Sequence, residues 1–163
     1  LVLSDRLALA GLNATCAMLR WSLPERAPHP DLYTASVALL DMLDRSDLWP
    51  LAYMQWERLL LEDMGFGLDL SACAVTGART GLSYVSPRTG RAVTPQGAGD
   101  WAHRLLPLPP VLLGQGNGSD DQIVLALQTL GFFFENQLAS QQGSPPPAAR
   151  RALLDRLTRR AGV

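Results

Sequence analysis

Three runs of helical period open the chain, each stopped by proline or glycine, and a loop-forming stretch then breaks the pattern before it resumes. This break constrains the fold more than any other feature. Residues 66–100 hold Gly67, Gly77, Gly81, Gly90, Gly97 and Gly99 with Pro87 and Pro95, a density that no long helix or strand tolerates. Only short strands fit there, "LSYV" at 82–85 and "RAVT" at 91–94, joined by the turn "SPRTG". The runs on either side must therefore pack on each other around a small insert.

Residues 4–22 place Leu7, Leu9, Leu12, Cys16, Leu19 and Trp21 at roughly helical spacing, with Ser4 as a candidate N-cap and Cys16 as a buried small hydrophobe. "LPERAPHP" is a proline-broken turn. Residues 30–45 predict a second helix with Leu32, Val37, Leu40 and Leu43 on one face. Residues 48–64 predict a third, with Pro50 in its first turn and Gly65 ending it. After the insert, "LLPLPPVLL" is an apolar loop that either packs under the bundle or forms part of a docking groove. A helix over about 120–140, capped by Ser119 or Asp120, carries Ile123, Leu127, Leu130, Phe134 and Leu138. A last helix covers about 146–160. The fold class is mainly α: a bundle of about five helices with a small irregular β-hairpin insert. Residues 1–65 and 105–163 are expected to form the two parts of the helical region and 66–104 the insert, within one compact domain.

Apolar residues make up 47% and charged residues 18%, enough for a sizeable core. The net charge of −1 excludes a global pull toward nucleic acid. All fourteen basic side chains are arginine, which forks onto phosphate and carboxylate as lysine cannot. Residues 31–63 are acidic in balance, while the last helix gathers Arg150, Arg151, Arg156, Arg159 and Arg160 against Asp155. This is either a solvated, dipole-stabilising face or an edge that binds phosphate or carboxylate. No apolar run is long enough to span a membrane. Two distant cysteines do not make a disulfide scaffold and suggest a reducing, cytoplasmic compartment. The chain begins without Met, as the back part of a longer protein would.

Catalytic signals are sparse. His29 and His103 stand alone, Glu62 and Asp63 diverge as helix neighbours and read as a solvated edge, and no phosphate loop or Gly-x-Ser-x-Gly appears. Phe132, Phe133 and Phe134 run consecutively, so they cannot share one face. They are either all core or include one that floors a pocket for a partner's apolar residue. "SACAVTG" at 71–77 looks like the first half of a zinc knuckle.

Read in order, "PHPDLYTASVALLDML", "QWERLLLEDMGFGLDLSACAVTG", "LSYVSPRTGRAV", "LGFFFENQL" and "PPPAARRALL" make a chain that resembles the C-terminal region of the bacterial RecO family of recombination mediators. The most specific stretch is Trp56-Glu57, Leu60-Leu61, Gly65-Phe66, then Cys73. The resemblance implies a helical region holding a zinc-finger-like insert, behind an N-terminal OB fold absent from this chain. It also implies two Cys-x-x-Cys pairs. Here Cys73 holds the first position, while Thr76, Val93 and Gln96 stand at the others. One thiolate cannot hold a structural zinc, so no metal or other cofactor is expected, and Gly77 and Gly90 keep the turns.

By the same resemblance the chain is non-enzymatic and bacterial, acting at the nucleoid in the RecF pathway of DNA repair and recombination. Its partners would be the acidic, Phe-terminated tail of single-strand-binding protein (SSB), RecR, and single- and double-stranded DNA, the DNA chiefly through the OB fold. Its work would be recombinase loading and strand annealing. An apolar tail pocket with a basic rim is expected between the third helix and the last two. Arg150 matches the family's basic residue before its last helix. Met54 and Gln55 stand where some members carry arginine. The rivals are a purely structural helical interaction domain, and an enzyme built on Asp100 and His103.

Overall fold

The computed structural model describes residues 5–23 and 27–163. Helices α1 (Arg6–Ser22), α2 (Pro30–Met42) and α3 (Trp49–Asp63) come first. Strands β1 (Tyr84–Val85) and β2 (Ala92–Val93), the single turn α4 (Pro95–Ala98) and strand β3 (Leu106–Pro107) follow. The chain closes with α5 (Asp120–Phe133), α6 (Ala139–Gln142) and α7 (Ala148–Ala161). A π-turn, Phe134–Leu138, carries α5 into α6 without a break, so the long helical segments match the expected bundle.

The entry into α1 differs from expectation. Ser4 and residues 24–26 of the proline-broken turn lie outside the described residues. Asp5 is the observed cap, its Oδ1 accepting from the amides of Leu7 and Ala8 at 3.0 and 3.2 Å. The inward stripe of α1 is Ala8, Gly11, Thr15, Met18 and Ser22, and the leucines only flank it. Cys16 is therefore exposed, not buried. The reason is close packing: α1 lies along α7 and meets α3, which favours small side chains on the seam. The buried hydroxyls of Thr15 and Ser22 donate to the carbonyls four residues back, at 2.8 and 2.6 Å, so the stripe leaves no polar atom orphaned. A similar shift affects α2. Leu32, Ser36, Leu39 and Leu43 are buried, while Val37 is 50% exposed.

The insert folds as expected and recruits one more strand. β1 pairs antiparallel with β2 (Tyr84↔Val93, Val85↔Ala92) and, on its other edge, with β3 (Tyr84↔Pro107, Val85↔Leu106), in the order β2-β1-β3. The third strand comes from the apolar loop, just beyond residue 104. Pro107 is tolerated in this two-residue strand because β3 is an edge, where proline leaves no ladder bond unmade. Leu108, Val111 and Leu112 of the same loop are buried in the main core, so the loop packs under the bundle. Arg58 of α3 donates to the Leu112 carbonyl at 2.7 Å, and Thr129 of α5 to the Pro107 carbonyl at 2.7 Å. Leu70, Val85 and Ala92 of the insert join the bundle core, while Cys73, Val93 and Ala98 make a small core of their own.

Candidate functional site

The dipeptide Trp56-Glu57 organises the bundle. Successive helical side chains diverge by about 100°, so the two residues reach different neighbours. Trp56 Nε1 donates to Ser36 Oγ of α2 at 2.8 Å. Glu57, 0% exposed, turns to α7. Its carboxylate accepts a fork from Arg150, Nε to Oε2 at 2.8 Å and Nη2 to Oε1 at 2.9 Å. The Tyr53 hydroxyl donates to Oε2 at 2.6 Å. Arg150 Nη2 also donates to the Leu127 carbonyl of α5 at 2.7 Å, and the guanidinium lies 5.4 Å from the centroid of the Phe134 ring. One ion pair thus joins α3, α5 and α7. Burial raises the Tyr53 hydroxyl well above its ordinary range, and the Glu57 charge raises it further. Burial by itself would lower Arg150, but the Glu57 carboxylate reverses this and holds the guanidinium firmly charged. Gly131 leaves room for the guanidinium. A Cβ at that position would sit 3.0 Å from Arg150 Nη1.

Arg150 was expected on a binding edge, yet it is 6% exposed and spends its fork inside the protein. The other arginines of α7 do not share a face with it. Arg151, exposed, pairs with Glu135 at 3.8 Å. Arg160 forks onto Asp120 at 2.7 and 2.8 Å. Arg159 reaches the Asp155 carbonyl. Arg156 lines a cleft with Arg6 between α7 and α1. The charge that looked like one basic edge in sequence is distributed around the helix, and much of it is neutralised at home.

A cleft of about 450 Å³ lies where α5, α7 and β3 meet. Phe132, Leu106 and Leu154 supply its apolar surface, and Arg150 and Arg151 lie along it with Glu135 and Asp155. Of the three phenylalanines, Phe133 and Phe134 are core, while Phe132 is half-buried and faces this cleft. The π-turn begins immediately afterwards, and Asn136 Nδ2 caps the Phe132 carbonyl at 2.8 Å. α3 supports the cleft through Glu57 but does not line it.

Cys73 sits in a knuckle-like turn. It is 2% exposed, and its Sγ accepts from the amides of Thr76 and Thr94 at 3.4 and 3.3 Å, with Thr94 Oγ1 at 3.5 Å. Burial by itself would raise the thiol, but the hydrogen bonds from Thr76 and Thr94 outweigh it and lower the pKa to about 6. Gly65, Gly77 and Gly90 take φ of 91°, 76° and 70° at the ends of α3, the knuckle and the hairpin turn. Among the described residues no group of three or more His, Cys, Asp or Glu side chains converges as metal ligands would. Asp100 and His103 are both exposed on the 3-10 turn Gly99–Arg104. Asp63, expected as a solvated edge, instead holds His29 Nδ1 and so ties the end of α3 to the start of α2. No signal in the sequence pointed to that pair, since its partners lie on separate elements. No described helix is long and apolar enough to cross a membrane.

A mainly helical bundle stapled by a buried Glu–Arg pair, with a small three-stranded sheet folded beside a turn around Cys73, defines a helical module bearing a small β insert. The family described as Recombination protein O C terminal matches residues 3–146, and the chain belongs to this RecO family. It is 61% identical over 161 residues to the DNA repair protein RecO of Ruegeria sp. (strain TM1040), covering 98% of this chain and 67% of that protein. It is 54% identical over 159 residues to that of Roseobacter denitrificans (97% and 66%) and 55% over 152 residues to that of Paracoccus denitrificans (93% and 62%). The chain therefore spans about two thirds of the length of these relatives. No solved structure matches it.

Proposed function

We propose that this chain is the helical partner-binding module of a recombination mediator in DNA repair, working by binding, not catalysis. In this reading it takes the acidic, Phe-terminated tail of SSB in the α5–α7 cleft. The whole protein, with RecR and DNA as further partners, would promote recombinase loading and strand annealing in the RecF pathway, at the bacterial nucleoid. The observation that carries the reading is the cleft itself, which sets the half-buried Phe132 ring beside Arg151. A terminal Phe ring would pack on Phe132, Leu106 and Leu154. The tail's carboxylates would compete with Glu135 for the Arg151 fork, an exposed pair of little intrinsic worth. Arg150 belongs to the floor, holding α7 at the spacing the cleft needs. Arg156, Arg159 and Arg160 lie off the cleft and contribute at most to the long-range field.

The test is titration of the chain with an acidic Phe-terminated peptide at low salt. Binding should weaken when the terminal Phe is removed, when Phe132 becomes Ala, and when Arg151 becomes Glu. No binding at low salt, where charges are least screened, would leave only a structural helical domain.

A further inference from the structure

The insert carries four arginines that no described carboxylate holds. Arg79, Arg88, Arg91 and Arg104 are all exposed, and none forms an ion pair among the described residues. In α7, Arg150, Arg151 and Arg160 are each held by a carboxylate, while among the described residues Arg156 and Arg159 are not. The segment 66–104 carries these four arginines against Asp69 and Asp100, an excess of positive charge in a chain of net charge −1.

The insert also presents Trp101, 62% exposed. Arg104 stacks on this indole, its guanidinium carbon 4.8 Å from the ring centroid. A tryptophan left in water costs hydrophobic free energy. The turn that carries it is anchored by its neighbours: Ala98, Ala102 and Leu105 fill the small core with Cys73 and Val93. The ring is thus presented on a fixed backbone, with a cation stacked on it.

We infer that Trp101 and Arg104 form a stacking platform for single-stranded nucleic acid, with the other exposed arginines of the insert, Arg79, Arg88 and Arg91, supplying a positive field that attracts the strand. A base stacks on the exposed part of the indole, which Arg104 already engages, giving an arginine–indole–base arrangement. Stacking of this kind tolerates any sequence because every base has a π face. Duplex DNA offers no unstacked base, so the platform discriminates between strands. Asp100, next to the ring, opposes phosphate at that one position and places the backbone toward Arg104. This deepens the DNA-repair reading, since it gives the insert a strand contact separate from the tail cleft.

The experiment is fluorescence anisotropy of a labelled oligo-deoxythymidine with the 163-residue chain at low salt. Trp101→Ala should weaken binding roughly tenfold or more, the scale of one lost base stack, with an unchanged melting temperature. Trp101→Phe should recover most of the loss. Arg104→Ala should weaken binding and lower the salt slope by about 0.7, as for one phosphate contact on a single strand. Affinity for the Phe-terminated peptide should be unaffected by Trp101→Ala. Equal oligonucleotide affinity of the Trp101→Ala and parent chains overturns the platform, as does equal affinity of the parent chain for duplex and single strand. If oligonucleotide binding survives Trp101→Ala while the peptide still binds the parent chain, the platform fails and the tail-docking reading stands. Loss of peptide binding in Trp101→Ala would make this a protein-docking surface instead.

Discussion

Replacing Arg150 by Ala tests the architecture most severely. The substitution leaves the Glu57 carboxylate, 0% exposed, with the Tyr53 hydroxyl as its one remaining side-chain donor. It removes both limbs of the fork and the donor to the Leu127 carbonyl. Breaking a buried pair by removing one partner costs about 3–5 kcal/mol, because a charge is stranded in low dielectric. Against a total stability of about 5–15 kcal/mol, that is a large fraction. At about 2–4 °C per kcal/mol for a chain of this size, Tm should fall by roughly 6–20 °C. Glu57→Gln strands less charge and should cost less. The double replacement Glu57→Leu with Arg150→Met removes both charges and should lie within about 1–2 kcal/mol of the parent. Urea unfolding of the four proteins gives the coupling energy as a double-mutant cycle. A coupling below about 1 kcal/mol, the value of an exposed pair, would refute the claim that this pair is the buried staple of the bundle. The same experiment guards the binding assays, since any loss of affinity in an Arg150 variant must first be separated from loss of fold.

Four further outcomes follow. In a Cys16→Ser background, ultraviolet titration of Cys73 should show thiolate forming near pH 6, against an ordinary value of 9.0. Because the folded value is the lower one, the stability it contributes is fully present above about pH 9 and is lost as pH falls toward 6. Cys73→Ala should flatten that slope. Elemental analysis should find no stoichiometric zinc, and chelator should leave Tm unchanged; a fall in Tm would mean that ligands other than Cys73 complete a site. Gly131→Ala should destabilise despite alanine's better helix propensity of about 1 kcal/mol, because the new methyl meets a guanidinium that Glu57 prevents from moving; a gain in Tm would show that Arg150 can shift. Phe134→Ala should cost about 3–5 kcal/mol in chemical denaturation, since its ring is 0% exposed and packs on both Trp21 and Arg150.

Much of the fold is legible in the residues because its signals are local. Apolar period, Pro50 in the first turn of α3, Gly65 at its end and the glycine-rich break after it each act within a few residues, so helix positions and the insert follow directly. The knuckle was readable in the same way. Cys73 with Gly77 defines a turn, and the residue types at 76, 93 and 96 exclude four thiolate ligands. Period alone could not choose between two adjacent faces of α1 and α2. Both faces carry residues able to pack, and the choice depends on how closely a neighbour approaches. That is why Cys16 lies outside and Thr15 inside.

What the sequence determined by itself is where the chain is helical and where it must break. What only the tertiary structure decided is which polar groups meet. Arg150 finds Glu57 across 93 positions of sequence, Asp63 finds His29, and the apolar loop supplies the third strand. An arginine in a helical run reads the same whether it points to water or to a buried carboxylate. The difference is the face presented to it by another element, and that exists only after the chain has folded. The five arginines of α7 look alike in the sequence, yet Arg150 staples the core, Arg151 and Arg160 pair with carboxylates nearer the surface, and Arg156 and Arg159 meet none among the described residues.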